Sequence, residues 1–231
     1  MAQVLRHFPF IEWFLETHLD SYQVVFLSQI RVDVTNRLNN FELTPFGPQP
    51  DVSPGSLLVA APSLFETPFR KAVVLILQSN EDGTFGVVLN RPANDQIKVA
   101  WQELTGSNEG DGNIVQGGPI GGPVFAIHQR QSIAELEMPG GIFVTTQSDK
   151  FQELVSQDDS RYRIVFGVAG WQQGQLGQEL NDGHWYKITG DAEQVFGDPD
   201  WMWEKSIRRY GQQLLCEVVG LNSLPDDPLK N

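Results

Sequence analysis

Gly86-Val87-Val88-Leu89-Asn90-Arg91-Pro92 is an apolar strand that ends in three residues with strong local consequences. Pro92 has no amide hydrogen for a ladder and biases Arg91 toward extended geometry, so the strand must stop there. Asn90 can satisfy loose backbone groups at the strand end. Arg91 offers a planar five-donor fork suited to a carboxylate or phosphate, or to an acidic neighbour in the fold. Working back, Val73–Leu77 and Phe85–Leu89 are short apolar runs separated by Gln78-Ser79-Asn80-Glu81-Asp82-Gly83-Thr84, whose turn formers predict a hairpin. The Asn-Glu-Asp-Gly stretch lacks the alternating oxygen ligands and distal glutamate of a calcium loop, so it reads as an ordinary turn. Earlier still, Leu57-Leu58-Val59-Ala60-Ala61 reads as a buried strand stopped by Pro62.

Downstream, Gln116-Gly117-Gly118-Pro119-Ile120-Gly121-Gly122-Pro123 is a glycine-rich corner running into Val124-Phe125-Ala126-Ile127-His128. It is either a turn between strands or, through successive exposed amides, an anion-binding nest. His128 is either hydrogen-bonded structure at a strand end or a group that titrates near neutral pH. Val165-Phe166-Gly167-Val168-Ala169-Gly170-Trp171 is a further strand, leading to Gln172-Gln173-Gly174-Gln175-Leu176. Trp171 either fills the core or stacks on a ligand. Ser148 is placed to cap a helix that turns Phe151, Leu154 and Val155 inward, and such an N-terminus could hold an anion. A last helix, capped by Asp200, sets Trp203, Ile207, Tyr210 and Leu214 on one face, with Gly211 ending or weakening it.

The chain of 231 residues is 40% hydrophobic, enough for one good core, and a single main domain is expected. No stretch approaches the roughly 18 uninterrupted apolar residues of a membrane-spanning helix. The N-terminal MAQVLRHFPFIEWFLETHLD mixes Glu12, Glu16 and His18 among its apolar residues, so no secretory core forms, and a cytoplasmic location is expected. Cys216 is the single cysteine, which excludes an internal disulfide and paired-thiolate zinc sites. With 29 acidic against 16 basic residues the net charge is −13, which repels phosphate backbones, so direct nucleic-acid binding is disfavoured. Pro45, Gly47, Pro48, Pro50, Ser53, Pro54 and Gly55 form a breaker-rich boundary. Before it, residues 1–54 are expected to be an extension, with a short amphipathic helix at 10–20 and a strand at 24–27. Residues 221–231, with Pro225, Asp226, Asp227 and Pro228, are expected to be a surface tail.

Taken in order, LLVAAP, FRKAVVLIL, the G-x-V-L-N-R-P segment, GGP, the Ile127-His128 pair and AGW-x-x-GQL resemble the YqgE/AlgH family over roughly residues 55–215, within a domain expected over 55–220. The matching positions are Gly55, Pro62, Phe69, Asn90, Arg91, Pro92, Gly117, Gly118, Pro119, His128, Gly170, Trp171, Gly174, Gln175 and Leu176. The arginine-serine pair expected after the phenylalanine is Lys71-Ala72 here, and Gly177 replaces the usual acidic residue after GQL, which speaks against an essential chemical role at either place. The resemblance implies an α+β single domain with a mixed, bent β-sheet flanked by helices. It also implies a transcriptional regulator, a description that rests on an association with alginate control and names no catalytic activity.

No constellation for catalysis stands out. His-Glu-x-x-His, G-x-S-x-G and any histidine pair at ligand spacing among His7, His18, His128 and His184 are absent. No catalytic residue, metal or cofactor is therefore assigned. The expected activity is indirect regulation through a protein partner or a small anionic ligand, bound at Asn90, Arg91, Pro92, Gly117, Gly118, Pro119, His128, Trp171 and Gln175. An enzyme acting on an anionic small molecule through Arg91 and His128 is the alternative, since both sit at strand ends where loops converge.

Overall fold

The apolar runs do form strands, and they read as continuous rather than alternating because both of their faces are buried. A computed structural model describes residues 52–106, 110–156 and 161–219, with only the backbone of 111 and of 212–219. The readings for residues 1–51 and the 221–231 tail lie outside the described residues. The strands are β1 (Ser56–Ala60), β2 (Val73–Asn80), β3 (Gly83–Val88), β4 (Ile114–Gln116), β5 (Ile120–His128), β6 (Leu136–Met138), β7 (Ile142–Thr145), β8 (Tyr162–Gln172) and β9 (Trp185–Thr189). The helices are α1 (Asp95–Thr105), α2 (Ser148–Val155), α3 (Gln175–Asn181), α4 (Ala192–Val195) and α5 (Pro199–Val219). All nine strands share one sheet in the order β6-β7-β5-β8-β3-β2-β1-β9, with β4 set beside β8. Only β4 runs parallel to its neighbour among the described pairs, so the sheet is mixed, as the resemblance implied.

The sheet curls into a half-barrel. Its inner face gathers Leu57, Val59, Val73, Leu75, Phe85, Val87, Phe125, Ile127 and Val165, and Met202, Trp203, Ile207 and Tyr210 of α5 lie against them. The outer face is covered in two parts. Leu58, Val74, Ile76 and Val88 pack with Trp171, Leu176 and Trp185 under α3, while Ala126 and Ile164 pack with Trp101 of α1 and Phe151 and Leu154 of α2. At one rim the tip of the β6–β7 hairpin reaches the far end of the sheet: a Cβ on Gly55 would lie 3.1 Å from Pro139 Cδ. Gly140 and Gly141 turn that tip with φ of 81° and 71°, values that glycine adopts at little cost.

Four local expectations change. The β2–β3 hairpin is tighter than its turn formers suggest, because the ladder continues to Asn80–Gly83 and leaves Glu81-Asp82 as the loop. Asn80 Oδ1 accepts from Asp82 N–H at 3.0 Å and fixes the turn. The last helix begins at Pro199, and Asp198 Oδ1, not Asp200, accepts the first free amide, from Asp200 at 3.0 Å. Gly211 does not end it, since the helix runs on to Val219. Likewise Ser148 is the first helical residue of α2 and not its cap.

The tightest constraint lies at β8, whose one edge pairs with β4 over Ile164–Phe166 and then with β3 over Ala169–Gln172. Gly167 sits at the change of partner with φ of 79°. Gly117 and Gly118 cross it so closely that a Cβ on the first would strike the Gly167 carbonyl oxygen and Val165, and one on the second the Val168 carbonyl. The carbonyls among those atoms belong to the backbone of β8, which is held between its neighbours and cannot yield. Gly118→Ala is therefore expected to destabilise the fold by about 3 kcal/mol, whereas Gly122→Ala, whose Cβ would meet nothing within 4 Å, is expected to change stability by less than about 0.5 kcal/mol. Urea denaturation of the two variants checks the contrast.

Candidate functional site

The β2–β3 hairpin brings its two ends together, and with them Asn90-Arg91 and the loop 61–72. Asn90 spans the gap left where the ladder ends: its Oδ1 accepts from Val73 N–H at 2.9 Å and its Nδ2 donates to Lys71 O at 2.8 Å. This holds Lys71 in the left-handed region, at φ 52°, where a residue with a Cβ is strained. Arg91 Nη2 donates to Arg70 O at 3.0 Å, which orients the guanidinium while leaving donors on its other nitrogens. Lys71 reaches the other way, 2.8 Å from Glu204 Oε1 and 5.1 Å from the centre of the Trp203 ring. Arg70 is exposed, and neither it nor Arg91 has an ion pair with a described residue. Pro92 is exposed and bridges to Val115.

The glycine corner adjoins this place, and its Gly117 amide is already taken within the fold. Gly117 N–H donates to Phe166 O at 2.8 Å and its carbonyl accepts from Val88 N–H at 2.7 Å. None of Gly117, Gly118, Gly121 and Gly122 has the positive φ that an anion nest requires of alternate residues. The corner, with Pro119 following it, is a crossing of backbones.

Trp171 is enclosed, with 2% of its surface exposed. Its Nε1 donates to Glu179 Oε2 at 2.9 Å, and Trp185 Nε1 donates to the same oxygen at 2.7 Å. Gln175 Nε2 donates to the other oxygen at 2.9 Å, while its own carbonyl accepts from Gln172 N–H at 3.0 Å. Phe69 stacks on Trp171 at 6.1 Å and meets Trp185 edge-on at 5.3 Å. The AGW-x-x-GQL segment thus bolts α3 to β8 and β9, and the indole face is taken by Phe69. Glu179 carries this assembly and no sequence motif singled it out; its spacing of four from Gln175 on a short helix is the one signal that points to it.

His128 is wholly buried. Its strand β5 is separated from β3, which leads to Arg91, by β8. Nδ1 accepts from Arg130 N–H at 3.2 Å, so the ring proton sits on Nε2, which has no partner among the described residues; nor has Arg130 Nη1. Burial, reinforced by the Arg130 charge, lowers the imidazole pKa to about 4, so the ring is neutral at pH 7. Beside it Glu135 fills the approach to α2. Its Oε2 accepts from the Thr146 amide and hydroxyl and from Thr145 Oγ1, and its Oε1 from Gln147 Nε2 at 2.8 Å. Burial works to raise that carboxyl's pKa, but these donors outweigh it and the value lies below 4.5. Glu135 thus occupies the segment that leads into α2, bonding to Thr145, Thr146 and Gln147 ahead of the helix. A cleft of about 470 Å³ between α1 and α2, lined by Trp101, Thr105, Asp149, Gln152 and Glu153, contains none of the expected site residues. Among the described residues no three His, Cys, Asp or Glu side chains converge as metal ligands.

Of the expected residues, then, Asn90, Arg91, Pro92 and Gly117 come together; Trp171 and Gln175 join each other in a closed network, and His128 stands apart. Two checks follow. Glu179→Leu leaves two buried indole N–H groups unpaired and is expected to cost about 3 kcal/mol or more, with a changed tryptophan emission, while Glu179→Gln costs about 1 kcal/mol. For His128 the unfolded ring, titrating near 6.5, binds a proton that the native ring refuses down to about 4. Stability is thus complete above pH 6.5 and falls as pH drops through that window, by about 2–3 kcal/mol. His128→Gln, which keeps an acceptor for Arg130 N–H, is expected to flatten that slope in urea melts between pH 7 and 4.5, leaving the Glu135 contribution to be lost below 4.5.

Comparison with known proteins agrees with this architecture. The sequence profile of the AlgH-like family matches residues 57–215. A UPF0301 protein of Chlorobaculum tepidum is 32% identical over 181 residues, covering 75% of this chain and 95% of that protein. A UPF0301 protein of Streptomyces coelicolor is 34% identical over 192 residues, with 77% and 94% covered. The solution structure of the AlgH protein from Pseudomonas aeruginosa shares the fold at a TM-score of 0.56 and 22% identity, covering 78% of this chain and all of its own. The crystal structure of a Corynebacterium diphtheriae protein does so at 0.56 and 24%, with 71% and 90% covered. This chain belongs to the AlgH-like family.

Proposed function

We propose that the protein is a cytoplasmic binding protein that influences transcription indirectly, by holding a protein partner or a small anionic ligand where Asn90-Arg91-Pro92 meets the loop 61–72. The observation that carries this reading is the Arg91 guanidinium, fixed at one nitrogen by Arg70 O and lacking a carboxylate partner among the described residues. Two neighbouring cations without acidic partners, Arg70 and Arg91, keep guanidinium donors open to an anion from outside the chain. Arg70 and Lys71 extend the cationic edge, so the reading now rests on Arg70, Lys71 and Arg91, with Asn90 positioning them. Trp171, which shares Glu179 with Gln175, supports the loop from behind through Phe69. No helix among the described residues is long and apolar enough to cross a membrane, and the acidic charge favours indirect regulation over direct reading of DNA.

Affinity purification from the native cell, with wild type against folded Arg70→Glu and Arg91→Ala variants, tests this. Loss of the same co-purifying protein or small anion from both variants is expected, together with the same shift in transcript levels. An unchanged partner set with both variants, or a sequence-preferring complex with duplex DNA at low salt, would sink the reading.

A further inference from the structure

We infer that the Arg70–Lys71–Arg91 edge, together with Phe65, docks an extended acidic segment of another protein that carries an apolar side chain. The inference rests on the binding reading above and names the class of its partner. The first argument is shape. Arg70 and Lys71 are exposed on the loop 61–72, and Arg91, which bonds to that loop, is half-buried. A lone small anion there would be held by solvent-exposed pairs worth about 1 kcal/mol or less each, so appreciable affinity requires several carboxylates on one chain and an apolar contribution. Phe65 supplies an apolar surface, since it stands 62% exposed on the same loop, five residues before Arg70. Exposed aromatic and arginine side chains together are the composition that protein interfaces favour.

The second argument is rigidity. The loop is a chain of consecutive turns: Leu64 N–H donates to Ala61 O, Thr67 N–H to Leu64 O, Arg70 N–H to Thr67 O at 3.1 Å, and Ala72 N–H to Phe69 O at 2.9 Å. Thr67 Oγ1 donates to Leu64 O at 3.0 Å and accepts from Phe69 N–H at 3.2 Å. Phe69 is seated on the Trp171–Trp185 pair, and Asn90 clamps Lys71 O. Phe65, Arg70 and Arg91 are thereby presented on a preorganised frame, and binding loses little loop entropy. The third argument is charge. Arg70 and Arg91 have no ion pair with a described residue and so are open to carboxylates, while Glu66 beside Phe65 and Glu204 at Lys71 repel any anion that runs past the edge, which limits the segment to a short one.

Fluorescence anisotropy with the full chain decides it. The probe is a labelled ten-residue peptide alternating aspartate and leucine. The controls are the same peptide with asparagine for aspartate, inorganic phosphate, and a single-stranded oligonucleotide. Expected results are at least about ten-fold tighter binding of the aspartate peptide than of the asparagine one, about ten-fold weakening by Arg70→Glu, and about five-fold weakening by Phe65→Ser. Both altered side chains are exposed, and unchanged melting curves confirm the fold. Undiminished binding with Arg70→Glu and with Arg91→Lys overturns both the inference and the binding reading under it. Weakening by Arg70→Glu with no effect of Phe65→Ser, or phosphate or the oligonucleotide displacing the peptide at equal charge, overturns the peptide inference and leaves an anion-binding edge standing.

Discussion

The whole arrangement depends on two backbones passing at contact distance where Gly117 and Gly118 cross β8. Strand β8 has to serve β5 along one edge while its other edge is shared between β4 and β3. That sharing is possible only if the chain between β4 and β5 steps over β8 with no side chain in the way, and only if β8 itself bends at Gly167. Remove either condition and the sheet stays flat, β3 has no partner beyond β2, and the inner apolar face has nothing to close around. The interior of Leu, Val, Ile and Phe side chains is thus made possible by three positions that have none.

Most of the residues that mark the family serve this framework. Asn90 replaces a missing ladder bond at a strand end, Trp171 and Gln175 fasten α3 through Glu179, and the glycine pair permits the crossing. A buried arginine works the same way: Arg163 donates to the carbonyls of Val195 and Gly197 past the end of α4, and burial lowers its pKa to about 10 while leaving it charged. Positions free of such duties are few near Arg91, and they are the exposed ones of the loop 61–72. Function on this scaffold is therefore more readily sought in side chains that have no internal partner than in the recurring motif itself.

The fold was legible where local chemistry and packing agreed. Pro62 and Pro92 mark true strand ends, and the apolar runs of β2 and β3 are true strands, because burial on both faces selects the same residues that strand propensity does. Helix α5 was legible in its apolar face but not at its ends. The helix starts at Pro199, ahead of the Asp200 cap read from the sequence, as proline suits the first helical turn, and packing against the sheet carries Gly211 past its intrinsic penalty. The three-residue β4 gave no pattern of its own, since its partner is remote in sequence. For the site, Arg91 could be read as a fixed donor between a strand and a proline. Its neighbours Arg70 and Lys71 could not be paired with it in the same way: folding the chain symmetrically about Glu81-Asp82 sets Arg91 opposite Ala72, and only the bulge between Ile76 and Gln78 moves it level with Lys71. The burial of His128 could not be read, because it is decided by α2 and β7, which reach it from elsewhere in the chain.

Strand β1 pairs on one side with β2, which follows it closely, and on the other with β9, where Ser56 meets Thr189. During synthesis from the N-terminus the second edge of β1 has to wait until almost all of the domain has emerged. An apolar strand with an open row of amides and carbonyls is a template for the wrong neighbour for that whole interval. The rim contact between Gly55 and Pro139 has the same delay built into it in part, since the β6–β7 hairpin can settle against the start of β1 before β9 arrives. In order of emergence, the last strand is thus the one that shields the first.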